Sequence, residues 1–310
     1  MLLSIIVVNW NTCELTTQCL KSVFAHPPAV AYEVIVVDNA SADESVTAIE
    51  ARFPEVRLIR SVENKGYAGG NNQGICASKG KYCFLLNSDA IVTPGAIDAM
   101  IDFLERHPQA GAAGPTLLNP DGSFQGSFAQ FPSLWSEVSL FTGIARWTIG
   151  PNAPSPRPKP GSTAEQVDWV AGAAIMVRRS TIDQVGHLDE SYALYSEETD
   201  LCWRMRRAGW QIWYLPDVNI IHIGGASTNR KSTECYSRLY RSKVHFFRLA
   251  YGLRSAVCLS MVLIFLAVSR IGVRMLALPF LSSASRMANK VRIRLDLSMI
   301  HHLGSDILRL

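Results

Sequence analysis

The sequence of 310 residues predicts an α/β protein with a doubly wound, mainly parallel, Rossmann-like sheet, followed by a helical C-terminal tail. Short apolar runs rich in β-branched residues alternate with helix-period patterns, and short links join them. Hydrophobic residues make up 48% of the chain and charged residues 18%, which excludes a disordered chain. The balance of charge also changes abruptly near residue 230, so we expect a packed body and a region of a different kind.

The N-terminal part has the strand and helix signals of a parallel sheet. Four apolar runs have the pattern of buried strands: Leu2–Val8, Glu33–Val37, Val56–Ile59 and Lys81–Leu86. Two pairs of residues have the spacing of a capping box and predict a helix after each: Asn11 with Glu14, and Ser41 with Glu44. A third helix is expected to begin at Thr93-Pro94 and to run to about Arg106. The stretch Asn64–Gly74, rich in glycine and asparagine, is predicted to be a loop.

The middle of the chain departs from this alternation. Pro151–Pro160 contains five prolines and is predicted to be a mobile surface loop. Val167–Val177 returns to a strand pattern that Gly172 interrupts, and Glu197–Ala208 has a helix pattern. Two short strands are then expected: Gln211–Leu215 and Val218–Ile223.

The net charge of +4 is an average over two unlike regions. Residues 230–310 carry 14 Lys and Arg against 3 Asp and Glu, a net charge of +11. Residues 1–229 carry 16 against 23, a net charge of −7. We therefore expect a catalytic domain over 1–229 and a helical, basic, membrane-associating region over 230–310.

The tail contains a long apolar run, Ala256–Ser269, which has fourteen residues and no charge. A membrane-spanning helix needs about 20 apolar residues, and Arg270 and Arg274 interrupt the run. A helix lying in the membrane interface, or a re-entrant hairpin, fits this pattern better. Four further cations extend the basic surface: Arg286, Lys290, Arg292 and Arg294.

The seven cysteines form no CxxC pair, which disfavours a disulfide framework and a zinc site. The apolar segment Met1–Val8 has no Lys or Arg before it and is a poor signal peptide. We therefore expect the body to act on the cytoplasmic side of the membrane.

Polar residues follow the predicted strands, where ligands bind in a doubly wound sheet. They are Asn9, Asn11, Asp38, Asn39, Asn87 and Asp89. Each one alone is equally consistent with a turn or a helix cap. The first strand is followed by neither GxGxxG nor a Walker A sequence, which disfavours a dinucleotide-binding dehydrogenase and a P-loop enzyme.

Two groups of side chains suggest metal and acid–base chemistry. Asp89 directly follows a buried strand, and His222 ends another, so the two could hold a divalent metal on a diphosphate. A hydrogen-bonded structural histidine is the alternative for His222. The segment Glu197–Asp200 contains three acids, which suit a helix N-terminus or a general base whose pKa is raised by its neighbours.

Taken together, the motifs resemble those of family 2 glycosyltransferases, which have a GT-A fold, and within them the bacterial rhamnosyltransferases. The resemblance covers roughly Leu2 to Ser227. Seven motifs carry it in the right order: SIIVVNWN (4–11), VVDNAS (36–41), NKGYAGGNNQG (64–74), LLNSDA (85–90), VDWVAGAAIMVRR (167–179), LDESYALYSEETDLCWR (188–204) and HIGGAS (222–227).

The resemblance implies a role for each matching residue. The nucleotide-sugar donor would be bound by Asn9, Asp38, Asn64, Gly66, Gly70, Asn71, Asn87 and Asp89. Asp38 would bind the pyrimidine, and Asp89 with His222 would hold Mg²⁺ or Mn²⁺. The acceptor side would be shaped by Trp169, Gly172 and Ala173.

The family's usual Glu-Asp-x-Asp motif is Glu-Glu-Thr-Asp in this chain, so Glu198 would be the catalytic base and Asp200 a supporting acid. The expected reaction is transfer of L-rhamnose from dTDP-L-rhamnose, with inversion, to a glycan or polyprenyl-diphosphate-linked acceptor at the cytoplasmic face of the inner membrane. Three alternatives remain open: transfer from UDP-galactose, UDP-glucose or UDP-N-acetylglucosamine; a degenerate membrane-assembly partner; and a nucleic-acid binder suggested by the basic tail.

Overall fold

The computed structural model describes residues 1–159, 161–192, 194–224 and 232–307. The chain divides into two compact units. The first comprises Met1–Phe131, Arg146–Ser191 and Glu197–Ser227, and the second comprises Pro132–Ala145, Tyr192–Ser196 and Thr228–Leu310. The predicted boundary at 229/230 lies outside the described residues and stays a prediction. The structure adds that Pro132–Ala145 groups with the C-terminal helices.

The described residues form twelve strands. They are β1 (Leu3–Asn9), β2 (Tyr32–Asp38), β3 (Arg57–Arg60), β4 (Tyr82–Asn87), β5 (Ala90–Val92), β6 (Ala110–Leu118), β7 (Phe124–Gln125), β8 (Phe128–Ala129), β9 (Glu165–Val167), β10 (Trp169–Val170), β11 (Ala174–Arg178) and β12 (Gln211–His222).

The same residues form eleven α-helices and a 3₁₀ turn, Leu278–Phe280. The α-helices are α1 (Cys13–Ala25), α2 (Ser45–Arg52), α3 (Gly66–Ala77), α4 (Ala96–Arg106), α5 (Leu134–Thr142), α6 (Ala145–Thr148), α7 (Arg179–Val185), α8 (Glu197–Arg207), α9 (Thr233–Tyr251), α10 (Leu253–Ala277) and α11 (Ser283–Ile307).

The main sheet of the first unit confirms the predicted fold class. Its strand order is β3-β2-β1-β4-β11-β6-β12-β5. Strands β3, β2, β1 and β4 are parallel to one another, as are β6 and β12. Strand β11 is antiparallel to both of its neighbours, and β5 is antiparallel to β12. The result is a mixed sheet in which most of the paired residues belong to parallel pairs of strands.

Strand β1 shows why both faces of this sheet must be covered. Ile5 and Val7 pack into one hydrophobic cluster, while Ile6 packs into the other, and all three are fully buried. Successive side chains of a strand point to opposite faces, so a continuous apolar run requires apolar cover on each side. The alternating burial along β1 is therefore the structural basis of the doubly wound architecture.

The predicted loop at Asn64–Gly74 is wrong, because most of it is helix α3. Glycine lowers helix propensity, but tertiary packing overrides that preference here. A Cβ on Gly74 would lie 2.3 Å from Ile6 Cγ2, and one on Gly70 would lie 2.6 Å from Val8 Cγ1. The two glycines lie one turn apart and let the helix approach β1 closely.

The two predicted capping boxes are also wrong. Helix α1 begins after Thr12 and α2 after Glu44, and neither cap residue's side chain accepts a backbone N–H of its helix. Asn11 instead accepts the Ala42 N–H at 2.7 Å, and Ser41 Oγ accepts the Asn11 N–H at 2.9 Å. These polar side chains join the β1–α1 loop to the β2–α2 loop, a tertiary role that the local pattern does not reveal.

Strand β6 was not predicted, although it lies inside the sheet between β11 and β12. Its sequence, AGAAGPTLL, has only one of the β-branched residues that mark a strand, Thr116, and is mostly alanine and glycine in its first half. A Cβ on Gly114 would lie 2.6 Å from Val170 Cβ, so the small residues make room for neighbouring side chains.

Other parts of the middle of the chain follow the predictions more closely. The strand pattern 167–177 is broken at Gly172, between β10 and β11. Residues 151–159 contain turns but neither helix nor strand, and Pro160 lies outside the described residues. The two short strands expected near the end of the first unit are one strand, β12, with a register shift between Leu215 and Asn219.

In the second unit, α9, α10 and α11 pack against one another, and α5 packs against α10. Helix α10 continues through Arg270 and Arg274, because the carboxylate of Asp296 on α11 binds both arginines. Asp296 is buried, and Arg270 also donates to the carbonyl oxygen of Phe141 at 2.9 Å. Arg270 and Arg274, which interrupt the apolar sequence, therefore form ion pairs and hydrogen bonds with residues of the second unit.

The close contact between α3 and β1 gives a prediction. We expect Gly74→Ala to lower the free energy of unfolding by about 1–3 kcal/mol, because the added methyl group overpacks against Ile6. Chemical denaturation followed by tryptophan fluorescence measures the change. The matched control is Gly272→Ala, since a Cβ at that helical glycine meets nothing within 4 Å. Equal stability of wild type and Gly74→Ala would contradict the packing argument.

Candidate active site

The carboxyl ends of β1 and β2 meet in a network centred on Asn9. The Nδ2 of this fully buried side chain donates to Asp38 Oδ1 at 2.7 Å and to Ser41 Oγ at 3.0 Å. Asp38 Oδ2 accepts the Ser41 N–H at 3.0 Å. The amide of Asn9 is therefore hydrogen-bonded within the protein. Its bond to Asp38 fixes the orientation of the Asp38 carboxylate.

The other face of Asn9 extends the network toward β4. Its Oδ1 accepts the hydroxyls of Thr12 and Thr16 at 2.9 and 2.6 Å. Thr12 Oγ1 in turn lies 3.1 Å from Ser88 Oγ, in the turn that carries Asn87 and Asp89. A chain of side-chain hydrogen bonds thus links the ends of three neighbouring parallel strands.

The start of α3 is attached to the same edge through Asn39. Its Nδ2 donates to the Gly66 carbonyl oxygen at 2.8 Å, and Asn64 Oδ1 accepts the Gly66 N–H at 2.8 Å. Gly66 has a φ of +70°, which an L-residue rarely adopts, and a Cβ added there would meet nothing within 4 Å. Asn64 and Gly66 therefore lie on an open part of the site.

Gly70 and Asn71 have packing roles in this structure. A Cβ on Gly70 would meet Val8 and would lie 3.2 Å from Asn39 Nδ2. Asn71 is buried, and its Nδ2 donates to the Tyr67 carbonyl oxygen at 2.9 Å within α3. Contact of either residue with a donor stays a prediction.

The predicted metal ligands lie side by side. Pairing of β5 with β12 places His222 opposite Ala90, next to Asp89. The His222 Nε2 is 3.2 Å from Asp89 Oδ1 and 3.3 Å from Asn87 Nδ2. Asp89 Oδ2 accepts the Gly224 N–H at 3.1 Å, and Asp89 and His222 are 6% and 7% exposed. Residues Gly225–Ser227 of the predicted motif lie outside the described residues.

The donor set of this cluster fits Mg²⁺ or Mn²⁺. Carboxylate oxygen and imidazole nitrogen both suit Mn²⁺, and Mg²⁺ is commonly held by one or two carboxylates together with substrate phosphates. Among the residues that the structure describes, no group of three His, Cys, Asp or Glu side chains could hold a metal ion. A site built on Asp89 and His222 therefore suits a metal whose remaining ligands come from a bound diphosphate.

The predicted acceptor residues border the metal cluster and α8. The Asn87 N–H donates to the Ala173 carbonyl oxygen at 2.9 Å, and Tyr67 Oη donates to the Gly172 carbonyl oxygen at 2.6 Å. A Cβ on Gly172 would lie 2.9 Å from Tyr67 Oη and 3.4 Å from Glu198 Cβ. Glycine at this position thus lets the loop between β10 and β11 lie against Tyr67 and Glu198.

Trp169 lies on the neighbouring strand β10. Its indole N–H donates to the Gln130 carbonyl oxygen at 3.0 Å, and the side chain is half-buried. The ring is therefore fixed at one end and partly open to solvent.

The three acids at the start of α8 have different surroundings. Burial raises the pKa of Glu198 to about 7. Burial and the charge of Glu198 raise the pKa of Glu197 well above its ordinary value, and Glu197 Oε2 has no hydrogen-bond partner among the described residues. Asp200 Oδ2 instead accepts from Arg204 Nε at 2.8 Å. This ion pair gives Asp200 a structural task, whereas Glu198 has the pKa of a general base at neutral pH.

Tyr67 and Gln125 are two polar residues of the site that the sequence did not single out for a role. Burial, followed by the charge of Glu198, raises the pKa of Tyr67, so its hydroxyl keeps its proton. Tyr67 lies inside the predicted donor motif, so its position was a usable signal. Gln125 lies on the two-residue strand β7, 2.5 Å from His222 Nδ1, and no sequence pattern marks it.

Known proteins with similar sequences include two glycosyltransferases. A region 35% identical over 219 residues is found in the N-acetylglucosaminyl-diphospho-decaprenol L-rhamnosyltransferase of Mycobacterium tuberculosis, covering 64% of this chain and 68% of that protein. The low-salt glycan biosynthesis hexosyltransferase Agl10 of Haloferax volcanii is 29% identical over 224 residues, covering 71% and 66%.

Solved structures show the same fold at low sequence identity. The mannosyltransferase PcManGT from Pyrobaculum calidifontis, solved with GDP-Man and Mn²⁺, has a TM-score of 0.57 at 15% identity and covers 98% of this chain and 87% of that one. GalNAc-T7, solved with UDP, GalNAc and Mn²⁺, has a TM-score of 0.58 at 15% identity and covers 80% and 50%. The fold is therefore GT-A.

The family model described as Glycosyl transferase family 2 matches residues 4–162 of this chain. That range contains β1 to β8 and the predicted donor-binding residues. Together with the rhamnosyltransferase relative, the match shows that the chain belongs to the family 2 glycosyltransferases and is a glycosyltransferase enzyme.

Proposed function

We propose that the enzyme transfers L-rhamnose from dTDP-L-rhamnose, with inversion, to a polyprenyl-diphosphate-linked or other glycan acceptor in cell-surface polysaccharide synthesis. The observation that carries the proposal is the 35% identity to the N-acetylglucosaminyl-diphospho-decaprenol L-rhamnosyltransferase of Mycobacterium tuberculosis. The pair Asp89 and His222 supports it, because their carboxylate oxygen and imidazole nitrogen lie 3.2 Å apart at the edge of the sheet and could contact one cation.

In this proposal, Asp38 binds the pyrimidine of the donor, and Asn64 and Gly66 line the open side of the donor pocket. Gly70 lets α3 lie close to β1, Asn71 bonds within α3, and Asn9 keeps Asp38 in place. Asp89 and His222 hold Mg²⁺ or Mn²⁺, which supplies positive charge to the leaving diphosphate. Asn87 lies beside these two residues and would bind the donor through its amide.

On the acceptor side, Trp169, Gly172 and Ala173 shape the surface against which the acceptor hydroxyl lies. Glu198 removes the proton from that hydroxyl, whose oxygen forms a bond to the anomeric carbon as the bond to the diphosphate breaks. The configuration at the anomeric carbon is inverted. The proton stays on Glu198, and the nucleoside diphosphate leaves. The raised pKa of Glu198 suits this role, since a base with a pKa near the working pH accepts and releases a proton readily.

The first test is transfer of sugar to polyprenyl-diphosphate-linked N-acetylglucosamine by the full chain, with and without Mn²⁺. We expect product from dTDP-L-rhamnose in the presence of the metal, measured as nucleoside diphosphate release and product mass. Parallel reactions contain UDP-galactose, UDP-glucose and UDP-N-acetylglucosamine. Preference for one of these donors would replace rhamnose in the proposal, and equal turnover with and without Mn²⁺ would contradict the metal site on Asp89 and His222.

The second test concerns the base. We expect Glu198→Gln to lower turnover by about 10²-fold or more while donor binding is retained, because glutamine cannot accept the proton. In the wild type, kcat/KM falls as the pH drops through about 7, since Glu198 then becomes protonated. The residual kcat/KM of Glu198→Gln is expected not to show this fall at acidic pH.

The matched control is Glu14→Gln, which makes the same change at an exposed acid on α1. Its turnover and pH profile are expected to equal those of the wild type. Near-normal turnover of Glu198→Gln would remove Glu198 from the role of base.

We also propose that the C-terminal region attaches the enzyme to the cytoplasmic face of the inner membrane. The segment Leu253–Phe280 is long and apolar enough to cross a membrane by length and composition. Four apolar side chains and a glycine at helical spacing are exposed along α10: Met261, Phe265, Val268, Gly272 and Leu276. The opposite face packs inside the second unit.

The exposed cations of α11 support an anionic membrane rather than a nucleic acid as the partner. Arg286, Lys290 and Arg294 recur every four residues and are exposed, with Met287 and Val291 exposed between them. Cations mixed with apolar side chains suit lipid headgroups above an acyl layer.

The membrane proposal predicts that Phe265→Asp with Leu276→Asp abolishes most binding of the full chain to phosphatidylglycerol-containing vesicles in a flotation assay. Both side chains are exposed, at 70% and 78%, so the folded unit tolerates the change. Val62→Asp, at a 96% exposed residue of the first unit, is the control and is expected to bind as the wild type does. Unchanged binding by the double variant, or equally tight binding of the wild type to DNA, would contradict the proposal.

A further inference from the structure

The amide of Gln125 has a defined orientation. Its Nε2 lies 3.1 Å from the His222 carbonyl oxygen and 2.9 Å from Asn119 Oδ1. A carbonyl oxygen only accepts, and the Asn119 amide is oriented by the donation of its Nδ2 to Ser123 Oγ at 2.9 Å. The NH₂ group of Gln125 must therefore face these two acceptors, and its Oε1 must face the other way.

The imidazole of His222 occupies that other side. Gln125 Oε1 lies 2.5 Å from His222 Nδ1. Because an amide oxygen cannot donate, the proton of this hydrogen bond belongs to Nδ1. Nε2 is then the nitrogen left to bind a cation. It lies 3.2 Å from Asp89 Oδ1, and a cation bound between these two atoms would take the place of a proton shared by them. Asn87 Nδ2, at 3.3 Å, can donate to an unprotonated Nε2.

We propose that Gln125 is a positioning residue that keeps the proton of His222 on Nδ1 and so presents Nε2 to the metal beside Asp89. The metal-ligand role of His222 belongs to the function proposed above, and this inference rests on it. Histidines that ligate metals almost always donate their other ring N–H to an acceptor, which fixes both the tautomer and the ring orientation. Here a neutral amide supplies that acceptor.

The fold makes Gln125 a rigid support. Strand β7 pairs with β6, with Gln125 opposite Leu117, and Asn119 lies in the turn between these strands. Strand β6 also pairs with β12, which ends at His222. The acceptor and the imidazole are therefore held by strands that share the neighbour β6, and Asn119 holds the amide from the turn.

The test is the ring protonation of His222, read from nitrogen NMR of metal-free, full-length protein with ¹⁵N-labelled histidine at about pH 8. A His222→Gln variant identifies the signals. We expect a protonated Nδ1 in the wild type, and we expect Mg²⁺ to shift the Nε2 signal. An unprotonated Nδ1 in the wild type would overturn the inference without any variant being made.

Substitution then shows that Gln125 is responsible. Gln125→Met removes the amide at similar length, and Gln125→Ala removes it without a risk of overpacking. Each is expected to lose the preference for Nδ1–H and to weaken Mg²⁺ or Mn²⁺ binding about 10–100-fold. Gln18→Met, at an exposed glutamine of α1, is the control and is expected to keep the wild-type spectrum. A wild-type tautomer in both Gln125 variants would overturn the role of Gln125.

The readouts separate this inference from the proposed function. If Nδ1 is protonated but His222→Gln leaves metal affinity unchanged, the metal-ligand role of His222 fails while the tautomer assignment holds. If metal binding depends on His222 but Nδ1 carries no proton, the function survives and the inference about Gln125 fails.

Discussion

One buried amide organises the site. Asn9 donates twice, to Asp38 and Ser41, and accepts twice, from Thr12 and Thr16, so its hydrogen-bonding capacity is filled within the protein. Each buried donor or acceptor of this amide left without a hydrogen bond would lower the free energy of unfolding by about 1–3 kcal/mol. The loops that supply the partners of Asn9 are therefore strongly constrained. The ends of β1 and β2 and the start of α1 are consequently held in one arrangement.

From this point the sheet topology gathers the remaining chemistry at one edge. The bond between Thr12 and Ser88 joins the network to the end of β4, and pairing of β5 with β12 brings His222 to the same place. Environment then separates residues of similar chemistry. Asp89 is placed beside an imidazole, while Glu198 lies half-buried near the phenol of Tyr67, and its pKa is raised. Carboxylates thus acquire different properties from burial and from their neighbours.

Much of this was predictable from apolar runs and motif order, because a buried parallel strand has a strong local pattern. The strands near Leu2–Val8 and Glu33–Val37 and the helix at Glu197 were found in this way. The predictions that were wrong concern features that depend on tertiary contacts. Asn11 and Ser41 bond across loops instead of capping helices, and β6 is built from residues that suit its neighbours more than strand propensity. Gln125 has no signal of its own, since only the hairpin between β6 and β7 brings it to His222.

The glycines of α3 have a consequence for how such chains are recognised. Gly70 and Gly74 are needed because the helix leaves no space above Val8 and Ile6, whatever chemistry takes place at the sheet edge. A relative that had lost Glu198 or Asp89 would still lose stability if these glycines were replaced, because the same contacts would be overpacked. The glycine motif therefore reports the architecture, and a judgement about whether a given chain of this type is an active enzyme has to be made on the acids and the histidine.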